Sequence, residues 1–392
     1  MVSAPPAHPT IVCLSHLRWD FVYQRPQHLL SRAARHHRVL YVEEPQRDAA
    51  AAFMEIRQDR SGVTIAIPHL SALSPASVLR ELLDELLRSE DRDQLVLWYY
   101  TPMALQFSDH IRPCATVYDC MDELSAFAGA PPELPALEQQ LLTRADLVLT
   151  GGHSLYCSKR ALHPNVHEFP SGVDVAHFAT AKAVGAEPAD QSALPKPRIG
   201  FFGVLDERLD RGLLAATAAL APSWHFVLIG PVTKIDPADL PRAPNLHYLG
   251  PKSYEALPQY IAGWDVAMMP FAMNAATKYI SPTKTPEYLA AGKPVVSTPI
   301  VDVVRTYGAV GLAHIAETPG AFVQAIHAAL CEPAARRQAL ADAHLSSQAW
   351  DQIWVRISER LCAAIIERRL KADPVATHVL ATLQKTQKDQ HV

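Results

Sequence analysis

The chain has 392 residues, 49% of them apolar and 19% charged, with 36 basic against 40 acidic side chains and a net charge of −4. At roughly one domain per 150 residues this allows two or three domains with cores of their own, which excludes a small stapled scaffold and bulk disorder. A near-neutral balance exerts no general pull on phosphodiester backbones, so nucleic acid is not an expected partner.

Residues 1–6 carry no basic side chain ahead of an apolar run, and the six cysteines (Cys13, Cys114, Cys120, Cys157, Cys331, Cys362) contain no C-x-x-C pair. The expectation is a reducing cytoplasmic setting, with neither a secretory leader nor a disulfide framework nor a zinc site. Short β-rich runs at 10–15, 39–43, 95–99, 115–119 and 147–150 are each followed by a helical pattern. Such alternation implies a parallel sheet with crossover helices, and hence a first α/β domain over 1–180. From 181 to 197 the pattern dissolves into Ala, Gly, Pro and polar residues, ending in Leu194-Pro195-Lys196-Pro197, where prolines disfavour helix and lack sheet donors. A linker is expected there. The alternation restarts at 198–202, 226–229, 246–249, 266–269, 294–297 and 312–315, giving a second α/β domain over 198–345. The uncharged window 212–233 has the length of a membrane span, but Pro222, Gly230 and Pro231 interrupt it, so helix, turn and strand are expected instead. Residues 346–370 place Ile353, Val355, Ile357, Leu361, Ala364 and Ile365 at helical spacing, the pattern of a terminal amphipathic helix. The polar tail 371–392 has little to bury and is expected to fray.

Neither half contains G-x-G-x-x-G or a Walker loop, so two doubly wound Rossmann-like domains are expected without the fingerprints of their commonest cofactors. Paired domains of this kind hold ligands in the cleft at the carboxyl ends of their strands, where free N–H groups suit a diphosphate. The most informative segment is 281–299, SPTKTPEYLAAGKPVVSTP. Ser281 suits an N-cap, Pro282 the first helical position, and Gly292 a helix stop. Lys284 in the first turn is a cation where the helix dipole disfavours one, a conflict that an anionic ligand resolves. Glu287, one turn on, offers two acceptor oxygens suited to paired ribose hydroxyls. A local i, i+3 pair between Lys284 and Glu287 on an ordinary helix accounts for the same residues.

The second half, with Glu287 to Val296 reading EYLAAGKPVV, resembles family-4 and related glycosyltransferases of the GT-B fold. The resemblance extends through residues 170–174 with Phe178, through 199–203 ending at Gly203, and through Ala349-Trp-Asp351. Residues 19–28, WDFVYQRPQH, are similar to a bacterial subgroup associated with surface-polysaccharide gene sets. It implies two Rossmann-like domains facing across a cleft, acceptor side first, with the C-terminal helix crossing back to the first domain. It also implies that Glu287 holds the ribose of a sugar nucleotide; Ser281, Thr283 and Lys284 at the same helix start, with Gly203 at the end of the opening strand, are the candidates to complete the donor site. The family's first glutamate, eight residues earlier, falls here on Tyr279. The basic pair that grips the diphosphate is altered too, with Val204 at one position and Arg208 and Arg211 nearby.

In the first domain Asp119, Asp122 and Glu123 put three carboxylates in five residues at a strand end. A general base for an acceptor hydroxyl needs such a group, and helix capping explains Asp119 and Asp122 equally well. Arg18, Trp19, Asp20, Gln24 and Arg25 follow the first strand and are candidates to line the acceptor side, with Trp19 equally suited to the core. His28 and His153 lie nearest the cleft loops, and neither has a partner that spacing can name. The expected function is transfer of a sugar from a nucleoside diphosphate sugar, a UDP-sugar first, to a glycan or lipid-linked acceptor in bacterial envelope or exopolysaccharide synthesis. No metal and no cofactor beyond the sugar nucleotide are expected, and the acceptor places the work at the inner face of the plasma membrane. A sugar-nucleotide epimerase of the same fold and a non-catalytic glycan-binding homologue are the alternatives.

Overall fold

The computed structural model describes residues 8–372. Eight strands form the first sheet: β1 (Thr10–Leu14), β2 (Val39–Val42), β3 (Phe53–Gln58), β4 (Thr64–His69), β5 (Leu95–Tyr99), β6 (Ala115–Cys120), β7 (Leu147–Thr150) and β8 (Val166–Glu168). Their order is β3-β4-β2-β1-β5-β6-β7-β8, parallel except for β3. The second sheet holds β9 (Arg198–Phe202), β10 (His225–Ile229), β11 (Leu246–Tyr248), β12 (Val266–Met269), β13 (Val295–Ser297) and β14 (His314–Ile315), in the order β11-β10-β9-β12-β13-β14, all parallel. The central strands β2, β5, β6, β7, β9, β12 and β13 are buried at every residue. Burial on both faces is why these strands read as unbroken apolar runs rather than as alternations.

The hairpin β3–β4 and the short β8 have no counterpart among the sequence expectations. All of β3 is exposed or half-buried, and Glu55, Arg57 and Gln58 break its apolar signal. Pro68 lies inside β4, and β8 has only three half-buried residues. An edge strand has one neighbour to satisfy, so composition constrains it weakly.

Residues 181–197, expected as a linker, are tied to the second domain. Gln191 is fully buried, donating from Nε2 to the Tyr260 carbonyl at 2.8 Å and accepting from Trp264 Nε1 at 2.9 Å. Arg198 returns to the Leu194 carbonyl through Nε at 2.9 Å. One buried amide with satisfied partners outweighs a composition that reads as loose.

The C-terminal helix Trp350–Ala372 lays Trp350, Ile353, Trp354, Ile357, Leu361 and Ile365 into the core of the first domain, beside Trp19, Trp98 and Leu29. Its start is clamped where Asp351 meets Arg32 at 2.9 Å and Arg35 at 2.8 Å. Residues 373–392, which contain most of the expected tail, lie outside the described residues. Among the described residues no helix is long and apolar enough to cross a membrane.

The buried centre of the first domain holds an ion pair. Asp119 on β6 is 0% exposed and Arg25, at the start of helix Arg25–Ala33, is 1% exposed. Arg25 Nε donates to Asp119 Oδ1 at 3.0 Å, Nη2 lies 2.9 Å from the same oxygen, and Nη1 donates to the Phe169 carbonyl at 2.7 Å. Removing either partner leaves an uncompensated buried charge. We expect Arg25→Met to lower the unfolding free energy by about 3–5 kcal/mol in urea titration. A loss below about 1 kcal/mol, the range of exposed pairs, would show that the pair does not hold the domain together.

Candidate active site

In a doubly wound sheet, ligands bind beyond the carboxyl ends of the strands, at the point where strand order reverses. The first sheet reverses between β1 and β5, the second between β9 and β12. Both points open on one cleft of about 1320 Å³, lined by the loops after β1 and β6 on one side and those after β9 and β10 on the other. The start of helix Lys284–Ala290 completes the second wall.

Ser281, Thr283, Lys284, Glu287, Gly203 and Arg208 all line this wall. The helix begins two residues later than the sequence suggests: Thr283, not Ser281, occupies the N-cap, and Lys284, not Pro282, is the first helical residue. Gly292 does end the helix, with φ 79°. Gly203 has φ 148°, and a Cβ there would lie 2.8 Å from Lys284 Cε, so a glycine is what lets the lysine lie over the end of β9. Lys284 Nζ sits 5.6 Å from the centre of the Phe202 ring, and burial pushes its pKa down. Glu287 is 6% exposed with Oε2 buried and unpaired, and desolvation, partly opposed by Lys284, pushes its pKa up to about 7. No i, i+3 ion pair between them is found among the described residues; Thr283 hydrogen-bonds the Glu287 side chain, and Oε2 is left to the cleft.

Around this pair are three residues that sequence reasoning missed. Tyr254 lines the cleft with its ring stacked on His177 at 4.3 Å and its hydroxyl buried and unpaired. Lys234 adopts φ 61° on the loop after β10, which is laced to the loop after β9 by Leu205 N donating to the Pro231 carbonyl at 2.9 Å. Phe127, from the first domain, receives Lys234 Nζ at 4.8 Å and the Arg208 guanidinium at 5.8 Å from its ring centre. None sits in a local pattern, because two loops and two domains bring them together. Arg208 is also bonded to buried Asp206, Nε to Oδ1 at 2.9 Å and Nη2 to Oδ2 at 2.6 Å, which fixes its direction. Arg211 is outside the cleft and pairs with Asp239 at 3.0 Å. It begins the next helix, Arg211–Leu220. Tyr279, where the resembling family carries its first glutamate, packs half-buried against the first domain and is not on the cleft wall.

On the first-domain wall, Asp119 is consumed by Arg25 and lies beneath the cleft lining, so it is not placed to meet an acceptor hydroxyl. Asp122 does line the cleft, and its pKa is pushed up to about 6 by desolvation, against the pull of Arg208 and Lys234. Trp19 is 5% exposed, packed edge-on to Tyr41 at 4.9 Å, and belongs to the core rather than to a stacking platform. Arg18 is held by Glu43 at 3.0 Å, and Asp20 by Arg57. Gln24 caps helix Arg25–Ala33 in a reciprocal box with Gln27. These side chains form the wall, but their polar groups are largely engaged in building it. His28 is buried and stacked on Trp350 at 4.6 Å, a packing role. His16, which no motif marked, lines the cleft with Nδ1 buried and unpaired, and burial pushes its pKa down to about 4.

Glu287 has a folded pKa raised from its ordinary 4.5 to about 7, so its contribution to stability is full below about pH 4.5 and is lost as pH rises through about 7. At about 1.4 kcal/mol per pKa unit, Glu287→Gln should recover on the order of 2 kcal/mol of the wild-type decline between pH 5 and pH 8. Urea titrations of both proteins at the two pH values check this. Parallel declines would mean that the carboxylate is solvated in the free protein.

Comparison with known proteins adds to this geometry. Residues 196–332 match the family model described as glycosyl transferases group 1. The chain is 30% identical over 240 residues to TuaH of Bacillus subtilis (strain 168), named as a glycosyltransferase of teichuronic acid biosynthesis. That stretch covers 56% of this chain and 59% of the relative, so the chain matches less than two thirds of its length. Among solved structures, the sucrose-phosphate synthase of Thermosynechococcus elongatus aligns with TM-score 0.69 at 14% identity, over 93% of this chain and all (100%) of that one. HepE of Anabaena, in complex with UDP and glucose, aligns with TM-score 0.63 at 16% identity over 90% and 99% of the two chains. At such identities these structures speak for the fold, and the fold, the family match and the curated relative agree: this chain has the GT-B architecture, and residues 196–332 carry its match to glycosyl transferases group 1.

Proposed function

We propose that the protein transfers a sugar from a nucleoside diphosphate sugar, a UDP-sugar first, to a glycan or lipid-linked acceptor of the bacterial envelope. The observation that carries this reading is the unpaired, buried Glu287 carboxylate beside Lys284 at the switch point of the second sheet. A buried carboxylate with a free oxygen is costly unless a donor arrives to satisfy it, and paired ribose hydroxyls are such donors. Lys284, Arg208 and Lys234 supply cations within the same cleft for a diphosphate. The choice of UDP is supported by neighbours of the same fold, one holding UDP and glucose and another, from E. coli, holding UDP-2-fluoro glucose. The choice of envelope glycan is supported by the name of the Bacillus relative.

In this reading, the glycosidic bond to the diphosphate breaks as the acceptor oxygen approaches, and negative charge grows on the leaving phosphate. Preorganised cations stabilise that charge without reorganising. Arg208 is already oriented by Asp206, and Lys284 is desolvated, so both act more strongly than they would in water. No metal is needed for this step, because the wall itself carries the compensating charge. Asp122, with a pKa of about 6, is the group positioned to orient or deprotonate the acceptor hydroxyl. Closure of the two domains would exclude water from the activated sugar.

Calorimetric titration of UDP tests the donor site. Glu287→Gln should weaken binding by about 1.5–3 kcal/mol, the range for a hydrogen bond to a charged group. Lys284→Ala should depress turnover more than ground-state affinity, since the charge it meets develops in the transition state. Wild-type affinity in both variants, with the fold intact, would refute the site. Asp122→Asn should cut transfer to acceptor while sparing UDP affinity, and unchanged transfer would remove Asp122 from the mechanism. Sugar-nucleotide turnover that proceeds equally without acceptor would replace transfer by epimerisation.

A further inference from the structure

The seam between the two domains, away from the cleft, holds a group of reactive side chains that sugar transfer does not use. Helix His153–Lys159 follows β7 and places His153 and Cys157 one turn apart on the same face. Cys157 Sγ lies 3.3 Å from His153 Nε2, and His153 Nδ1 lies 2.8 Å from Glu168 Oε2 on β8. Glu168 in turn receives Arg305 Nη1 from the second domain at 3.3 Å. With the proton on Nδ1 donated to Glu168, Nε2 is left as the acceptor that faces the thiol. The start of the helix is also fixed across the seam, since Ser154 N donates to Asp302 Oδ1 at 3.0 Å.

We propose that Cys157 is a nucleophilic thiol, activated by His153 and oriented through Glu168, that reacts with small disulfides to form a mixed disulfide at the domain seam. A nucleophile within hydrogen-bond reach of a base, itself held by a third group, is the arrangement that activates thiols. The Cys157 proton passes to His153 Nε2, and the thiolate attacks one sulfur of the disulfide. The new Sγ–S bond forms, the original S–S bond breaks, and the second sulfur leaves as a thiolate. Exposure admits the reagent: Cys157, Cys331 and Cys362 are exposed, whereas Cys13, Cys114 and Cys120 are buried. Among the described residues Cys331 and Cys362 have no imidazole hydrogen bond, so the chain carries its own controls.

The full chain is incubated at neutral pH with glutathione disulfide, and adducts are followed over time by peptide mass mapping. Cys157 should be modified at least about tenfold faster than Cys331 or Cys362. His153→Gln should bring Cys157 down to the rate of Cys362 while leaving Cys362 unchanged, and Glu168→Gln should cause a smaller fall. Equal rates at the three exposed cysteines of the wild type would overturn the proposal, as would a Cys157 rate indifferent to His153→Gln. Should that variant expose Cys13, Cys114 or Cys120, a sign of lost fold, the wild-type rate ratio and Glu168→Gln decide the matter.

Discussion

A parallel sheet covered by helices on both faces meets solvent and ligands at the ends of its strands, and at one point along that end the strand order reverses. This chain contains two such sheets and turns their carboxyl ends toward one another, between β1 and β5 on one side and β9 and β12 on the other. The polar groups on the cleft include those on loops after β1, β6, β9, β10 and β11 and on the first turn of helix Lys284–Ala290. The C-terminal helix, buried in the first domain although it follows the second, keeps the two halves in one arrangement.

Within that frame the two walls treat charge differently. The first-domain wall pairs its ions internally: Arg25 with Asp119, Arg18 with Glu43, Asp20 with Arg57. The second-domain wall pairs Arg208 with Asp206 and brings Lys234 within 3.8 Å of Glu207, but among the described residues it leaves Glu287 without a partner on Oε2 and Lys284 desolvated. Unpaired buried charge is destabilising and persists where something outside the chain completes it.

Phe127 joins the two walls. It comes from the first domain, yet its ring lies against Lys234 and Arg208 of the second. The ring holds both cations where the two domains meet, so their position depends on the contact between the domains.

The sequence by itself determined the two α/β units, all six strands of the second sheet and five of the first, because strands buried on both faces must be written in unbroken apolar runs. It also singled out the segment from Ser281 to Gly292, whose start lines the cleft, since a lysine in a first turn followed by a glutamate one turn later is a local pattern. The edge strands β3 and β8 escaped it, being half-exposed and constrained by one neighbour only. Tertiary structure alone decided that Asp119 is spent on Arg25, which lies 94 residues away in the chain, while Asp122, three residues on, faces the cleft. It alone set Arg208 inward and Arg211 outward, and brought Tyr254, Lys234 and Phe127 to the site. The physical reason is one of range: hydrophobic periodicity and helix caps are properties of neighbouring residues, whereas the pairing, desolvation and direction of a charge depend on what the fold carries to it from elsewhere.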